Sequence, residues 1–299
     1  MTSINAAAGP VLSIDTCLEA QKMKWGRAML LLVIVGLAGV AAYVWFESRN
    51  FETLIAGLRE RVIAAGEPAA AAIELPDIVR AYAMRAGGSI GGPAFVHLRH
   101  RATLVTDQRR PPMDIGADQW LATRRTDLAW VGRGSMFGLP VSVIDSFVGG
   151  TGLLEARLAG VLPVAKGLGA DFDKGELQRY LSELPVHPDA ILNNMQLRWR
   201  QIEGGVVEVS GTSRTGPASV RLFFDASGDI VSLDAADRPM TVGSTTVPTL
   251  WKGHFSKYKQ FGRYRIPSYG EVSWVLSEGP FTYWKGEIVA YEPSSDVNF

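Results

Sequence analysis

Glu176, Arg179 and Glu183 stand three and four residues apart, a spacing that on a helix lets both carboxylates reach one guanidinium from a single face. Such a cluster can grip a polar group or hold a proton. It can equally be a surface ion-pair ladder contributing about 0.5 kcal/mol. A second set, Trp251, Tyr258, Arg263, Tyr264, Trp274, Tyr283 and Trp284, falls within the strand-rich C-terminal stretch. On strands these residues could line a groove with aromatic faces and a guanidinium, suited to an amphipathic ligand such as a lipid. The competing reading is an aromatic core with Arg263 at its rim.

Other motifs lose their chemistry once placed on an element. Gly149-Gly150-Thr151-Gly152 lacks the strand-to-helix context of a phosphate loop, because Leu154, Ala156 and Leu158 alternate as a strand after it. Gly211-Thr212-Ser213-Arg214-Thr215 misses the nucleophile-elbow pattern at its last position. Ser256 and Lys259 are three apart on a strand and point to opposite faces, as do His97 and His100. His187 lies in a proline-flanked loop and His254 in the aromatic segment, so no metal site, cofactor or catalytic triad is expected. Between residues 99 and 133 the arginines are dense, and a strip of them could engage lipid phosphates. Asp107, Asp114, Asp118 and Asp127 are interleaved, which favours the solvated face of strands.

The elements that must position these residues begin with a membrane candidate. The uncharged, mostly apolar run that starts at Ala28 and ends at Phe46 lies between Arg27 and Glu47 and spans about 28 Å as a helix, enough for a hydrocarbon core. Lys22, Lys24 and Arg27 before it predict a cytosolic N-terminus and an exported body, hence a single-pass inner (cytoplasmic) membrane protein with a periplasmic C-terminal domain. Trp25, Tyr43 and Trp45 fit interface anchors. A cleaved signal peptide competes, with Val40-Ala41-Ala42 as its site, but the run and the tail before it are longer than that reading favours. The single Cys17 lies in the tail, leaving the body without a disulfide or a cysteine metal site. Lys plus Arg and Asp plus Glu are 30 each, which argues against nucleic acid as a partner.

The domain plan is a disordered tail over 1–21, an anchor over 22–49, a helical linker over 50–90 and a β-rich domain over 91–293, one body or two lobes split near 170–190. Phe51, Leu54, Ile55, Leu58 and Val62 share a helical face, and that helix should stop near Gly66-Glu67-Pro68. A second helix opens at Leu75-Pro76-Asp77 and ends at Gly87-Gly88. Strands are expected over 95–105, 119–124, 139–147, 153–159, 195–202, 206–212, 219–225, 230–235, 250–261, 263–266, 270–276 and 281–291. A helix interrupts them with Asp173-Lys174-Gly175-Glu176 as a capping box. Short connections make the sheet antiparallel, so the fold class is α+β, mainly β: one apolar helix, then a curved half-barrel-like meander with a few packed helices.

The order Leu75-Pro76, Trp120, residues 175–183, Trp199, Gly228, Arg238, Trp251, residues 262–267, Val272-Ser273-Trp274 and Phe281-Thr282-Tyr283 resembles an uncharacterised bacterial family known only as a domain of unknown function, over residues 75–291. That resemblance implies no activity, catalytic residue or cofactor. In outline, a long curved sheet with few helices is also similar to periplasmic lipid and lipoprotein carriers, a likeness of topology alone. The leading functional expectation is a membrane-tethered envelope protein whose β body binds a lipid-like ligand. An interaction module with a filled core comes second and a hydrolase-type enzyme last. A large apolar cavity would favour the first, a packed interior the second, and convergent acids of perturbed proton affinity the third.

Overall fold

The computed structural model describes residues 14–64 and 73–296, so residues 1–13 of the expected tail and the expected helix stop at Gly66-Glu67-Pro68 lie outside the described residues. The chain forms two units, Met1–Arg49 and Asn50–Phe299. Helix α1 (Ile14–Ile63) starts in the first and continues into the second. In the first unit its apolar side chains, among them Leu32, Val35 and Val40, are exposed. By length and composition this helix could cross a membrane.

In the second unit the last turns of α1 bury Phe51, Ile55, Leu58 and Val62 against Ala122, Ala129, Val131, Ile144 and Val148. Helix α2 (Asp77–Arg85) follows, with Pro76 at its N-cap and Val79, Tyr82 and Ala83 buried. It ends where a glycine is required. Gly87 has φ +91°, and a Cβ there would stand 2.4 Å from the Arg263 carbonyl oxygen.

The body is one antiparallel sheet. Its first strands are β1 (Phe95–Leu104), β2 (Met113–Ala122), β3 (Leu128–Met136), β4 (Leu139–Val148), β5 (Thr151–Leu158) and β6 (Leu162–Gly167). After α3 (Ala170–Ser182), a 3-10 turn at Leu184–Val186 and α4 (Pro188–Asn193) come β7 (Arg198–Glu203), β8 (Val206–Ser213), β9 (Gly216–Phe224), β10 (Ile230–Val242), β11 (Thr245–Phe261), β12 (Tyr264–Leu276) and β13 (Gly279–Ser294). The strand order is β6-β5-β4-β3-β2-β1-β13-β12-β11-β10-β9-β8-β7. Neighbours in sequence pair except β6 and β7, which form the two edges, and β1 with β13 joins the two halves from Phe95↔Ser294 to Leu104↔Trp284. The body is therefore mainly β, a curled half-barrel meander, and residues 170–190 bridge the two outermost strands of a single sheet.

Period-two alternation sorts the side chains onto two faces. Leu121, Leu128 and Phe147 join the large core that contains α2, α3 and α4, whereas their neighbours Ala122, Ala129 and Val148 meet α1. Three details differ from the sequence expectations. Strands β3 and β6 were not anticipated. Residues 264–276 form one strand through Pro267, which pairs with Tyr258. Helix α3 begins at Ala170 after Gly169, with no side-chain cap. Asp173 instead accepts a hydrogen bond from the Gly152 N–H at 2.8 Å, fastening the helix to the β4–β5 turn.

Candidate functional site

Helix α3 lies across the sheet with Leu177, Tyr180 and Leu181 buried, and the same helix turns Glu176, Arg179 and Glu183 toward a cavity of about 280 Å³. The opposite wall comes from strands: His100 on β1, Trp130 on β3, Asp145 on β4, Arg238 on β10 and Trp251 on β11. Trp274 on β12 with Tyr283 and Trp284 on β13 completes the aromatic lining.

The polar residues form two linked clusters. Arg179 binds Asp145 at 2.5 Å and Glu183 at 3.2 Å, and its guanidinium lies 5.5 Å from the centre of the Trp130 ring. Arg238 stands 3.5 Å from Glu176, donates to the Gly175 carbonyl, and lies 4.5 Å over Trp251. Trp251 in turn donates its indole N–H to the Tyr283 hydroxyl at 3.1 Å, and Tyr283 stacks on Trp274 at 5.8 Å. Each guanidinium is thus held by at least one acidic side chain and an aromatic face before any ligand arrives.

Burial sets the proton affinities. Glu176 is pushed well above the usual carboxylate range, first by desolvation and then by the neighbouring Asp145 carboxyl, against the pull of Arg238 and Arg179. The raised affinity favours the protonated acid, which can donate its proton to Asp145. That sharing accounts for two buried oxygens, Asp145 Oδ1 and Glu176 Oε2, that have no other donor. Arg179 resists the same desolvation because Asp145, Glu183 and Glu176 together outweigh it. His100 is driven down to about 3 by burial and then by Arg179, so its ring is neutral. Two arginines face three acids here, so the cluster carries no net positive charge to attract an anionic ligand.

The aromatic constellation divides. Trp251, Trp274, Tyr283 and Trp284 line the cavity together with Glu176, Arg179 and Glu183. Tyr258 does not: its hydroxyl donates to the Ile230 carbonyl at 2.8 Å and lies 3.3 Å from that of Tyr82. Arg263 donates to Ser89 Oγ at 2.9 Å and to the Tyr264 hydroxyl at 2.7 Å, beside a separate shallow pocket. Asp145, Arg238, His100 and Trp130 were not picked out as site residues. Asp145 did carry a signal, a lone acid within the apolar strand that includes Val143, Ile144 and Phe147.

The arginines between residues 99 and 133 are mostly engaged. Arg99 pairs with Glu292, Arg109 with Asp107, Arg125 with Asp127 and Arg133 with Glu52. His97 bridges Asp118 and Glu292 while stacking on Trp120 at 4.8 Å. Among the described residues no group of three or more His, Cys, Asp or Glu could hold a metal ion.

Residues 67–286 match the model of a family described as of unknown function, DUF6544. No curated protein matches the chain. Among solved structures, a domain described as an outer membrane lipoprotein-sorting protein from Vibrio parahaemolyticus is similar over 72% of this chain and 91% of its own, at 10% identity and a TM-score of 0.43. A LolA superfamily protein from Nitrosomonas europaea is similar over 72% and 93%, at 10% identity and a TM-score of 0.37. A DUF1329 family protein from Desulfovibrio piger is similar over 72% and 91%, at 9% identity and a TM-score of 0.40.

Proposed function

The chain belongs to this family of unknown function, DUF6544, and we propose that its β body binds the apolar part of a single-chain, uncharged lipid-like ligand. The cavity carries this reading. Its volume of about 280 Å³ is roughly twice the ~150 Å³ void that admits benzene, room for on the order of a dozen heavy atoms. One medium acyl chain fits that space; two do not. Tryptophans and Tyr283 supply flat apolar walls, and the polar cluster offers a carboxylate or phosphate no net positive charge.

The membrane half of the proposal rests on residues 28–46 as an uncleaved anchor in the inner membrane. Basic residues on their N-terminal side keep that end in the cytosol and place the body in the periplasm. Such a tether would keep the cavity close to a lipid source.

A binding experiment tests the ligand class. Residues 50–299, loaded with the uncharged fluorophore N-phenyl-1-naphthylamine, should release it to monolaurin at a concentration at least about tenfold lower than to laurate, since burying a carboxylate adds more than about 1.4 kcal/mol. Failure of the body to bind the fluorophore or monolaurin would contradict the proposal.

A second reading draws on the carboxyl pair. Asp145 and Glu176, sharing a proton inside a cavity, have the make-up of a general acid and base, which points to hydrolysis of an ester or amide of the same ligand. Turnover of monolaurin by the wild-type body, abolished in Glu176→Gln with binding intact, would favour it over simple binding.

A further inference from the structure

Phe137 is 80% exposed, more than any other large apolar side chain of the described body. It stands in the turn between β3 and β4 with φ +54°, a left-handed conformation that bulky residues rarely adopt and glycine adopts freely. Ala159, in the turn between β5 and β6, has φ +52°. Its N–H donates to the Pro140 carbonyl at 2.7 Å, so the two turns lie side by side. Leu139, Leu162 and Val164, which flank these turns, are exposed as well. From the turn between β1 and β2, Arg110 reaches over the Phe137 ring at 5.7 Å. Three hairpin ends therefore gather into one apolar tip with arginine at its side.

The chain enters the body at this same end of the sheet. Phe51 lies under Arg157, near the close of β5, at 4.7 Å, and Glu52 pairs with Arg133, near the close of β3, at 3.0 Å. A few turns later α1 has reached the opposite end of β3, where Arg125 donates to the carbonyls of Arg61 and Ala64.

We infer that this tip dips into the interfacial layer of a lipid bilayer, with Phe137, Leu139 and Leu162 among the acyl chains and Arg110 at the phosphates. The inference rests on the anchor assigned to residues 28–46, because the body begins only a few residues beyond that run and its first residues, Phe51 and Glu52, pack at the end of the sheet that carries the tip. A bilayer suits the shape better than a protein does. The side chains come from separate turn ends, and each finds hydrocarbon without the shape matching that a stable protein interface of ~800 Å² per partner needs. Arginine beside them can run its stem along the apolar surface and place its guanidinium on phosphate oxygens.

Fluorescence of the full chain tests this. In a Cys17→Ser background, Phe137→Cys is labelled with a nitrobenzoxadiazole dye and reconstituted in vesicles of phosphatidylcholine and phosphatidylglycerol, with Ser227→Cys, in the turn between β9 and β10, labelled for comparison. The label at 137 should emit further to the blue and be quenched by nitroxide lipids several-fold more strongly than the label at 227. Free access of aqueous iodide to the label at 137, equal lipid quenching at both sites, or protection from both quenchers by a second copy would each overturn the inference. Carbonate extraction of the same vesicles separates the two claims. Protein that washes off removes the anchor and the inference together, whereas protein that stays with an iodide-accessible label removes the tip contact alone.

Discussion

Arg179 on α3 and Asp145 on β4 meet at 2.5 Å, a guanidinium and a carboxylate both taken largely out of water. This pair ties the helix that roofs the cavity to the sheet that floors it. Arg179→Met should therefore destabilise the body by about 3–5 kcal/mol, because Asp145 would be left buried without its cation. The double variant Arg179→Met/Asp145→Asn should recover a substantial part of that loss. Urea unfolding of the three proteins measures both, and equal stability of wild type and Arg179→Met would refute the clamp.

Stability should depend on pH in two opposed ways. With its affinity raised, Glu176 holds a proton in the folded chain at pH values where an unfolded glutamate, near 4.3, has lost it. Its contribution is full below about pH 4.3 and is lost as pH rises through the folded value, so Glu176→Gln should gain on wild type as the pH is raised above about 4.3.

The buried imidazoles act in the other direction. His100 is lowered to about 3 and His187 to about 4, both chiefly by burial. An unfolded histidine takes a proton near 6.5 that the folded one refuses, so stability falls by up to about 1.4 kcal/mol per pH unit for each as the solution is acidified toward those values. His100→Asn should flatten one such step in denaturation curves collected from pH 7 to 4. An unchanged slope would show that the ring is not neutral in the fold.

Filling the cavity should remove binding without harming the body. Gly270 on β12 borders it, and the nearest side chains a Cβ there would meet are Phe255 and Trp284, at 3.7 and 3.8 Å, which is ordinary contact. Gly270→Leu should weaken monolaurin binding at least about tenfold while keeping the wild-type unfolding midpoint. Undiminished affinity would place the ligand elsewhere.

Much of the fold is written in local periodicity, and the exceptions have identifiable causes. Alternation and turn residues mark β1, β4, β5, β8 and β13, because each strand buries one face more than the other or ends at a glycine turn. Strand β3 hides because both its faces are covered from Leu128 to Val131, which erases the alternation, and because Gly132 must stay small under the Trp130 ring, where a Cβ would lie 2.3 Å away. Strand β6 hides behind Pro163, tolerated only because this is a sheet edge. The site divides in the same manner. Spacing on one helix unites Glu176, Arg179 and Glu183, whereas Asp145 and Arg238 reach them only through pairings across an open sheet whose first and last strands in sequence pair at its middle. Tyr258 and Arg263 share the aromatic segment with Trp251, yet they lie further along the hairpin formed by β11 and β12, beyond the cavity.

The anchor makes a fractionation prediction. Full-length protein should resist alkaline carbonate extraction, and residues 50–299, which include the packed last turns of α1, should be soluble without detergent. Full-length protein released by carbonate would contradict the anchor and leave the cavity proposal standing on its own.

Native mass spectrometry of the body purified without detergent tests the central claim most directly. An occupied cavity predicts a mass above that of the polypeptide by one small lipid-like molecule, released on activation in the gas phase and reduced in Gly270→Leu. Wild-type protein that shows only the bare polypeptide mass, and that still takes up no monolaurin when offered it, would contradict the account.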